Sequence, residues 1–164
     1  PLWVSCIGLF VTSPSFAVSG AFAEIGHADD RDNGRVGLIW KPDQSWLDAH
    51  GWHLVSQVET GLGYWKSRAA QGHEALELSV VPTARFRPNA LGGTQPYLEG
   101  GVGAHLFSRR DLDDQHTREA LLQMSAHLGL GLTFGDRSQY DLAYRLQKIN
   151  SDAGSQQVRL TYVY

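Results

Sequence analysis

The sequence predicts an all-β fold, an eight-stranded antiparallel transmembrane β-barrel of the outer membrane, and three observations support this. From residue 15 onward, apolar and polar residues alternate with a period of two, and helical periodicity is scarce. The polar positions of these segments carry charges and glycines, which a small membrane barrel places in its interior. Residues 158–164 alternate in the same way and end on an aromatic ring, as the last strand of such a barrel does.

Composition limits the remaining classes of protein. The 164 residues are enough for one domain, and the net charge of −3 gives no basic surface for nucleic acid. A single cysteine excludes an internal disulfide framework and a multi-cysteine zinc site. We therefore expect no cofactor and no metal. The sequence contains no apolar run of about eighteen residues, so a helical membrane span is not expected.

Residues 1–14 differ in composition from the rest of the chain. Residues 2–11 are apolar and are followed by small residues, which is typical of the central and terminal parts of a secretory signal. We expect residues 1–14 to be a signal-peptide remnant or an N-terminal extension, and residues 15–164 to be the barrel. A first strand or a plug of the mature protein is the alternative for this segment.

Four strands are predicted in the first half of the chain, at about residues 15–26, 35–42, 53–65 and 74–87. The fourth alternates most cleanly, because Leu76 and Leu78 oppose Glu77 and Ser79. The charged residues 27–34 are expected to connect the first two strands, and residues 89–93 have the composition of a turn.

Four more strands are predicted at about residues 95–107, 121–134, 138–148 and 158–164. In the sixth, Leu128 and Leu130 oppose His127 and Gly129. Residues 109–119 form a charged connection rich in Asp and Arg, and residues 135–137 a turn.

The polar face distinguishes a membrane barrel from a soluble sandwich or barrel. In a membrane barrel this face is the interior, where opposite charges pair, and the apolar face meets lipid. We expect the following charged residues to point inward: Glu59, Glu77, Glu99, Asp141, Arg85, Arg145 and Arg159. Three aromatic residues at strand ends are expected in an aromatic girdle, namely Trp40, Tyr64 and Trp65.

The histidines are expected to be structural. His27, His73 and His116 fall in predicted loops. His105 and His127 fall on the inward faces of neighbouring strands, where we expect hydrogen bonds to interior carboxylates. A metal site would need a third convergent ligand.

Several segments form a recognisable pattern: residues 16–20, 37–40 and 63–65, the Pro-Tyr-Leu-Glu-Gly-Gly-Val-Gly run at 96–103, residues 129–135, and Tyr-Arg-Leu-Gln at 144–147. Together these segments resemble the lipid A 3-O-deacylase family of the PagL type. The resemblance implies an eight-stranded outer-membrane barrel that hydrolyses the acyl ester at position 3 of lipid A. It also implies a Ser nucleophile, a His base and an acidic residue that orients the histidine.

The chain departs from the family pattern at the catalytic positions that the resemblance implies. Lys148 occupies the position of the histidine, Asn150 that of the serine, and Gln156 that of the acid. Lysine is a poor base at neutral pH, and asparagine cannot form an acyl-enzyme as serine does. No intact catalytic set remains by this comparison. Ser151, one residue away, is the outside candidate for a nucleophile, although a one-residue shift turns a strand side chain to the opposite face.

The sequence therefore predicts a catalytically inactive outer-membrane relative of this enzyme family. We expect it to associate with lipopolysaccharide in the outer leaflet, where Lys148 would meet phosphates, or to act as a structural partner of other outer-membrane proteins. Two alternatives stay open. One is an active lipid A 3-O-deacylase with a rearranged site, and the other is a soluble β-barrel that binds an apolar ligand.

Overall fold

The structure, a computed structural model, describes residues 17–28, 31–42, 45–68, 74–89, 93–108, 111–113, 116–117, 121–150 and 154–164. Within these ranges the chain forms eleven strands. They are β1 (Gly20–Ala28), β2 (Arg31–Trp40), β3 (Ser45–Ala49), β4 (Trp52–Ser67), β5 (Glu74–Pro88), β6 (Gln95–Phe107), β7 (Asp111–Asp113), β8 (His116–Thr117), β9 (Leu122–Phe134), β10 (Tyr140–Ile149) and β11 (Ser155–Val163). No helix in the described part of the chain is long and apolar enough to cross a membrane.

Eight of these strands close into an antiparallel barrel. The order around the ring is β1, β2, β4, β5, β6, β9, β10 and β11, and β11 pairs again with β1. The closing ladder runs from Gly20 opposite Val163 to His27 opposite Gln156. The predicted eight-stranded barrel is confirmed. We call the end at which β1 starts and β11 finishes the terminus end, and the opposite end the loop end.

The two faces of the wall differ as the alternation predicts. Leucine side chains on the outward face are exposed, with 73% of the surface of Leu128 and 65% of that of Leu62 accessible. Arg159 on the inward face is fully buried. This is the reverse of a soluble barrel that encloses an apolar ligand. All seven charged residues that were expected to point inward are buried.

Ion pairs connect these interior charges. Arg35 contacts Glu24 at 2.9 Å and Glu77 at 3.0 Å. Arg85 contacts Glu99 at 2.8 Å and also pairs with Asp141. Because an unpaired buried charge is costly, this pairing is a condition for a charged interior.

Arg145 and Arg159 extend the network. Arg145 donates to both carboxylate oxygens of Glu59, at 2.9 and 3.0 Å, and also pairs with Glu99. Arg159 pairs with the same Glu59, and its guanidinium lies over the ring of Phe22 at 3.7 Å from the ring centroid. The interior is therefore filled by interlocking side chains.

A small apolar cluster lies inside the barrel at the loop end. It consists of Trp65, Ala75, Phe107 and Ile149, each nearly fully buried. Trp65 also donates its ring N–H to Glu77. The prediction that Trp65 belongs to an outer aromatic girdle is therefore wrong, because its position on β4 is an inward one.

The charged segment between the first two strands is shorter than predicted. β1 runs to Ala28 and β2 begins at Arg31, so most of residues 27–34 is strand. The reason is that the alternation continues through the charges, since Arg31, Asn33 and Arg35 are all buried inward. The short strands β3, β7 and β8 were not predicted.

Aromatic rings line the outer surface at the terminus end. Phe134 stacks on Tyr140 with ring centroids 5.7 Å apart, Tyr140 lies 5.5 Å from Tyr162, and Tyr162 lies 6.1 Å from Tyr164. The terminal aromatic is thus the last member of a row that crosses three strands. Residues 1–16 lie outside the described part of the chain, so the expectation of a signal-peptide remnant there remains a prediction.

Candidate lipid-facing site

The β10–β11 hairpin carries Lys148 and Gln156, two of the positions to which the sequence resemblance assigns catalytic roles. Lys148 is the last outward-facing residue of β10, and Gln156 is the first outward-facing residue of β11. Gln156 lies directly opposite Leu146, one outward position before Lys148. Both side chains therefore lie on the outer surface near the loop end, as the register around residues 145–147 predicts.

The side-chain amide of Gln156 is occupied. The hydroxyl of Tyr144 donates to its Oε1 at 2.8 Å, along the same outward face of the hairpin. A neutral amide held in this way carries no charge with which to orient an imidazole.

Asn150, unlike Lys148, lies in a turn, and it is hydrogen-bonded to a neighbouring strand. It lies just beyond β10 with a positive φ of 39°, where the chain turns. Its N–H donates to the carbonyl of Met124 at 2.9 Å, and its Oδ1 accepts from the N–H of Met124 at 3.2 Å. Asn150 therefore joins the hairpin to β9. Ser151, the outside candidate, lies beyond the described residues.

A groove of about 940 Å³ opens on the outer surface beside this hairpin. Its floor is made of small outward residues on successive strands: Ser56 on β4, Pro82 and Ala84 on β5, Gly100 on β6 and Ala126 on β9. These residues are register neighbours, since Ser56 faces Ala84 and Ala84 faces Gly100. A row of small residues between larger ones leaves an open channel.

The groove descends from the loop end towards the middle of the barrel. At its upper end are Lys148 and Gln156, close to where β10 and β11 meet their connection. At its lower end is Ser56, in the first half of β4. The descent follows from the stagger of the strands in a closed barrel. Four strand spacings of about 4.8 Å give a length of roughly 19 Å, comparable with a fatty acyl chain.

The charge in this groove is concentrated at its upper end. Lys148 is its one ionised lining residue among those described, and no described carboxylate pairs with it. The remaining side chains are mostly aliphatic or small, including Val102, Leu128 and Leu146. The site can therefore hold an apolar chain below and an anionic group above. Within the described residues it contains no paired nucleophile and base.

The histidines are placed only partly as expected. His105 is buried and hydrogen-bonds Glu77 and Ser125, each at 2.6 Å. His127 is also inward, but its Nε2 has no hydrogen-bond partner. His27 was expected in a loop and instead lies on β1, on the outward face, 2.8 Å from Asp32. The described residues include no cluster suited to a metal ion.

The sequence analysis did not predict the floor of the groove. Alternation separated outward from inward residues, but it gave no relation between positions on different strands. The signal that was present is a proline in the middle of a predicted strand, Pro82, together with the adjacent glycines Gly100 and Gly101. Only the register shows that Pro82, Ala84 and Gly100 lie together.

Comparison with known proteins identifies relatives of this chain. A protein in Pseudomonas aeruginosa, lipid A deacylase PagL, is 27% identical over 103 residues, which is 62% of this chain and 57% of that protein. The chain thus spans less than two thirds of that relative. Lipid A deacylase PagL of Bordetella bronchiseptica is 29% identical over 142 residues, covering 79% of this chain and 75% of that protein.

A solved structure shows the same architecture. The crystal structure of the outer membrane enzyme PagL superposes with a TM-score of 0.71 at 22% identity, covering 88% of this chain and 97% of that one. The outer-membrane localisation expected from the sequence agrees with this fold and with the apolar outward face. The model of the family described as lipid A 3-O-deacylase (PagL) matches residues 32–157, well over half of the sequence, and the chain therefore belongs to the lipid A 3-O-deacylase (PagL) family.

Proposed function

We propose that this chain is an outer-membrane barrel that binds an acyl chain of lipopolysaccharide in its outer groove and does not hydrolyse it. The observation that carries the proposal is Lys148 at the head of an apolar groove, in the position where the family resemblance implies the catalytic histidine. The relatives named above are lipid A deacylases, so lipid A is the substrate-related lipid of this family.

Loss of hydrolysis follows from three residues. An exposed lysine is protonated at neutral pH and has no lone pair with which to accept a serine proton. Asn150 is held by the backbone of Met124, and an amide is not a nucleophile for esters. Gln156 is neutral and already accepts a hydrogen bond from Tyr144. Each part of the expected triad is therefore missing.

Binding follows from the same geometry. If the termini face the periplasm, the loop end lies in the outer leaflet, and the groove descends from headgroup level into the hydrocarbon region. A lysine at that level places its ammonium among headgroups while its methylene stem stays on apolar surface. A phosphate of lipopolysaccharide would neutralise Lys148, and the acyl chain would fill the channel over Ala126, Gly100 and Ala84.

Incubation with lipid A tests both halves of the proposal. We expect the purified barrel to retain lipid A through gel filtration in detergent, and mass spectrometry to show the lipid unchanged. Lys148→Ala should weaken retention about tenfold, the effect of losing one charge-assisted contact. The matched control is Lys66→Ala, because Lys66 is also outward near the loop end but lies outside the groove. Equal loss in both variants would contradict a specific role for Lys148.

The enzyme alternative gives a different product. A rearranged site that uses Ser151 would release a 3-hydroxy fatty acid, and Ser151→Ala would abolish the release. This outcome would overturn the non-hydrolytic proposal. If the chain instead acts as a partner of other outer-membrane proteins, replacement of groove residues should remove co-purified proteins and leave lipid binding unchanged.

A further inference from the structure

Two inward-facing cations at the terminus end take no part in the ion-pair network of the barrel interior. Lys41 continues the inward row of β2 just beyond Trp40, and Arg87 lies near the end of β5, one inward position beyond Arg85. Both side chains are half-buried. Within the described part of the chain, no carboxylate forms an ion pair with either of them.

The interior carboxylates are all in contact with other arginines. The buried carboxylates among the described residues pair as follows: Glu24 and Glu77 with Arg35, Glu99 and Asp141 with Arg85, and Glu59 with Arg145 and Arg159. Lys41 and Arg87 therefore add positive charge at the terminus end that these ion pairs do not neutralise.

Arg87 is held in place by a chain of hydrogen bonds among the strands that project at this end. Its Nε donates to Nε2 of His53 at 2.8 Å, so this nitrogen of His53 accepts and carries no proton. Nδ1 of His53 hydrogen-bonds Oδ1 of Asn89, and Nδ2 of Asn89 donates to Asp48 at 2.7 Å. The two terminal nitrogens of Arg87 make no hydrogen bond to another described residue. The guanidinium is thus positioned while most of its donors stay free.

Two further donors beside these cations have no acceptor. Nη2 of Arg85 and the hydroxyl of Tyr97 are buried and lack a hydrogen-bond partner among the described residues. The guanidinium of Arg85 lies over the Tyr97 ring, 4.4 Å from its centroid. Burial, and then the charge of Arg85, lower the pKa of Lys41 to about 8, and Arg87 acts in the same direction. We call Lys41, Arg85, Arg87 and Tyr97 the mouth cluster.

We propose that the mouth cluster binds a small oxyanion of the phosphate or sulfate class. Such an ion presents several acceptor oxygens around one negative centre, which matches three cations and a hydroxyl that lack acceptors. Guanidinium groups bind these oxygens in pairs, and an ammonium adds a point charge. Like charges in a partly buried site repel each other, and a counterion relieves that repulsion. The site lies at the opposite end of the barrel from Lys148, so it does not depend on the proposed function.

Titration calorimetry of the purified barrel in an uncharged detergent tests the inference. The probe is sodium sulfate, added at constant ionic strength in a chloride buffer. Lys41→Met and Arg87→Gln should each weaken sulfate binding about tenfold, and Tyr97→Phe about fivefold, because each removes one donor. None of these changes removes an ion pair found among the described residues, so heat-modifiable gel migration should persist. The matched control is Arg137→Gln, a cation in the exposed turn at the same end, which should bind sulfate as the parent does.

Proton uptake gives a second readout, which a general loss of surface charge would not change. A bound anion stabilises the protonated form of Lys41, so binding at pH 8 should take up about half a proton per sulfate. Sulfate itself does not titrate at this pH. The other groups that act on Lys41 stay ionised there, namely Arg85, Arg87, Arg159 and Asp141. Binding heats in two buffers of different ionisation enthalpy measure the uptake, and Lys41→Met should abolish it.

Competition against sulfate distinguishes the sources of the anion. Displacement by inorganic phosphate but not by phosphatidylglycerol in the micelle assigns the site to free ions, whereas displacement by phosphatidylglycerol assigns it to lipid headgroups. Either result supports the inference. Displacement by neither, absence of sulfate binding above the chloride background, or equal weakening by Arg137→Gln and Arg87→Gln would overturn it.

Discussion

Asn150 and Met124 exchange two hydrogen bonds, one through the Asn150 N–H at 2.9 Å and one through its Oδ1 at 3.2 Å. A serine at position 150 keeps the first bond and loses the second. Asn150 therefore has a structural role at the loop end, where it joins β10 to β9.

We expect a working catalytic triad at positions 148, 150 and 156 only when all three residues are replaced together. We expect Lys148→His, Asn150→Ser and Gln156→Glu in combination to release a 3-hydroxy fatty acid from lipid A, and each single change to release none, because triad members act as a unit. Mass spectrometry of lipid A measures the release. If the triple variant is inactive although folded, the turn at residue 150 holds the new serine away from the imidazole.

Arg145 is expected to be essential for stability. Arg145→Met leaves Glu59 and Glu99 without their shared guanidinium, and removal of one partner from a buried ion pair costs about 3–5 kcal/mol. Urea unfolding in lipid vesicles, followed by heat-modifiable gel migration, measures the loss. Arg137→Ala in the exposed turn serves as the control and should change little. A similar small loss in both variants would show that the interior network does not stabilise the barrel.

Truncation of two neighbouring residues of β6 should lower the free energy of unfolding by very different amounts. Phe107 lies in the apolar cluster inside the barrel, so Phe107→Ala should cost about 3–5 kcal/mol through the cavity it leaves. Leu106 faces outward and is 49% exposed, so Leu106→Ala should cost under about 1 kcal/mol, because lipid replaces the lost contacts. The same unfolding assay compares them, and equal losses would contradict the assigned faces.

Lys41 should make stability depend on pH. It lies just beyond β2 at the terminus end, where burial, and then the charge of Arg85, lower its pKa to about 8 from an ordinary 10.5. Between these pH values the unfolded chain binds more protons than the folded one, so the free energy of unfolding should rise as pH rises from 8 to 10.5.

The control for this prediction is Lys41→Met, which should remove that part of the pH dependence and make the barrel more stable at pH 7 than the parent. Denaturant titrations of both proteins across this pH range provide the measurement. Parallel pH profiles would show that the amine of Lys41 remains in water.

Sequence alone predicted the strands and their faces, because side chains alternate strictly between lipid and interior. The boundaries of five strands, β4, β5, β6, β9 and β10, agree closely, and the inward charges Glu59 and Arg145 were identified from alternation. The segment 27–34 was misassigned, since its charges suggested a solvated connection although Arg31 and Arg35 continue the inward face.

The candidate site was predictable only in part. The outward direction of Lys148 and Gln156 followed from alternation, and their assignment as site residues remains a prediction. The groove did not, because it depends on which residue of one strand faces which residue of the next. That register is fixed by the shear of the closed ring, a property of the whole barrel rather than of any segment.

Arg145 also affects how the barrel can form. Its guanidinium on β10 contacts carboxylates from β1, β4 and β6, at Glu24, Glu59 and Glu99. These strands come together only when the first and last parts of the chain meet. A partly assembled sheet therefore leaves the guanidinium of Arg145 without some of its carboxylate partners. Docking of the last strand completes the ion pairs of Arg145, so closure of the ring and completion of its interior charge network coincide.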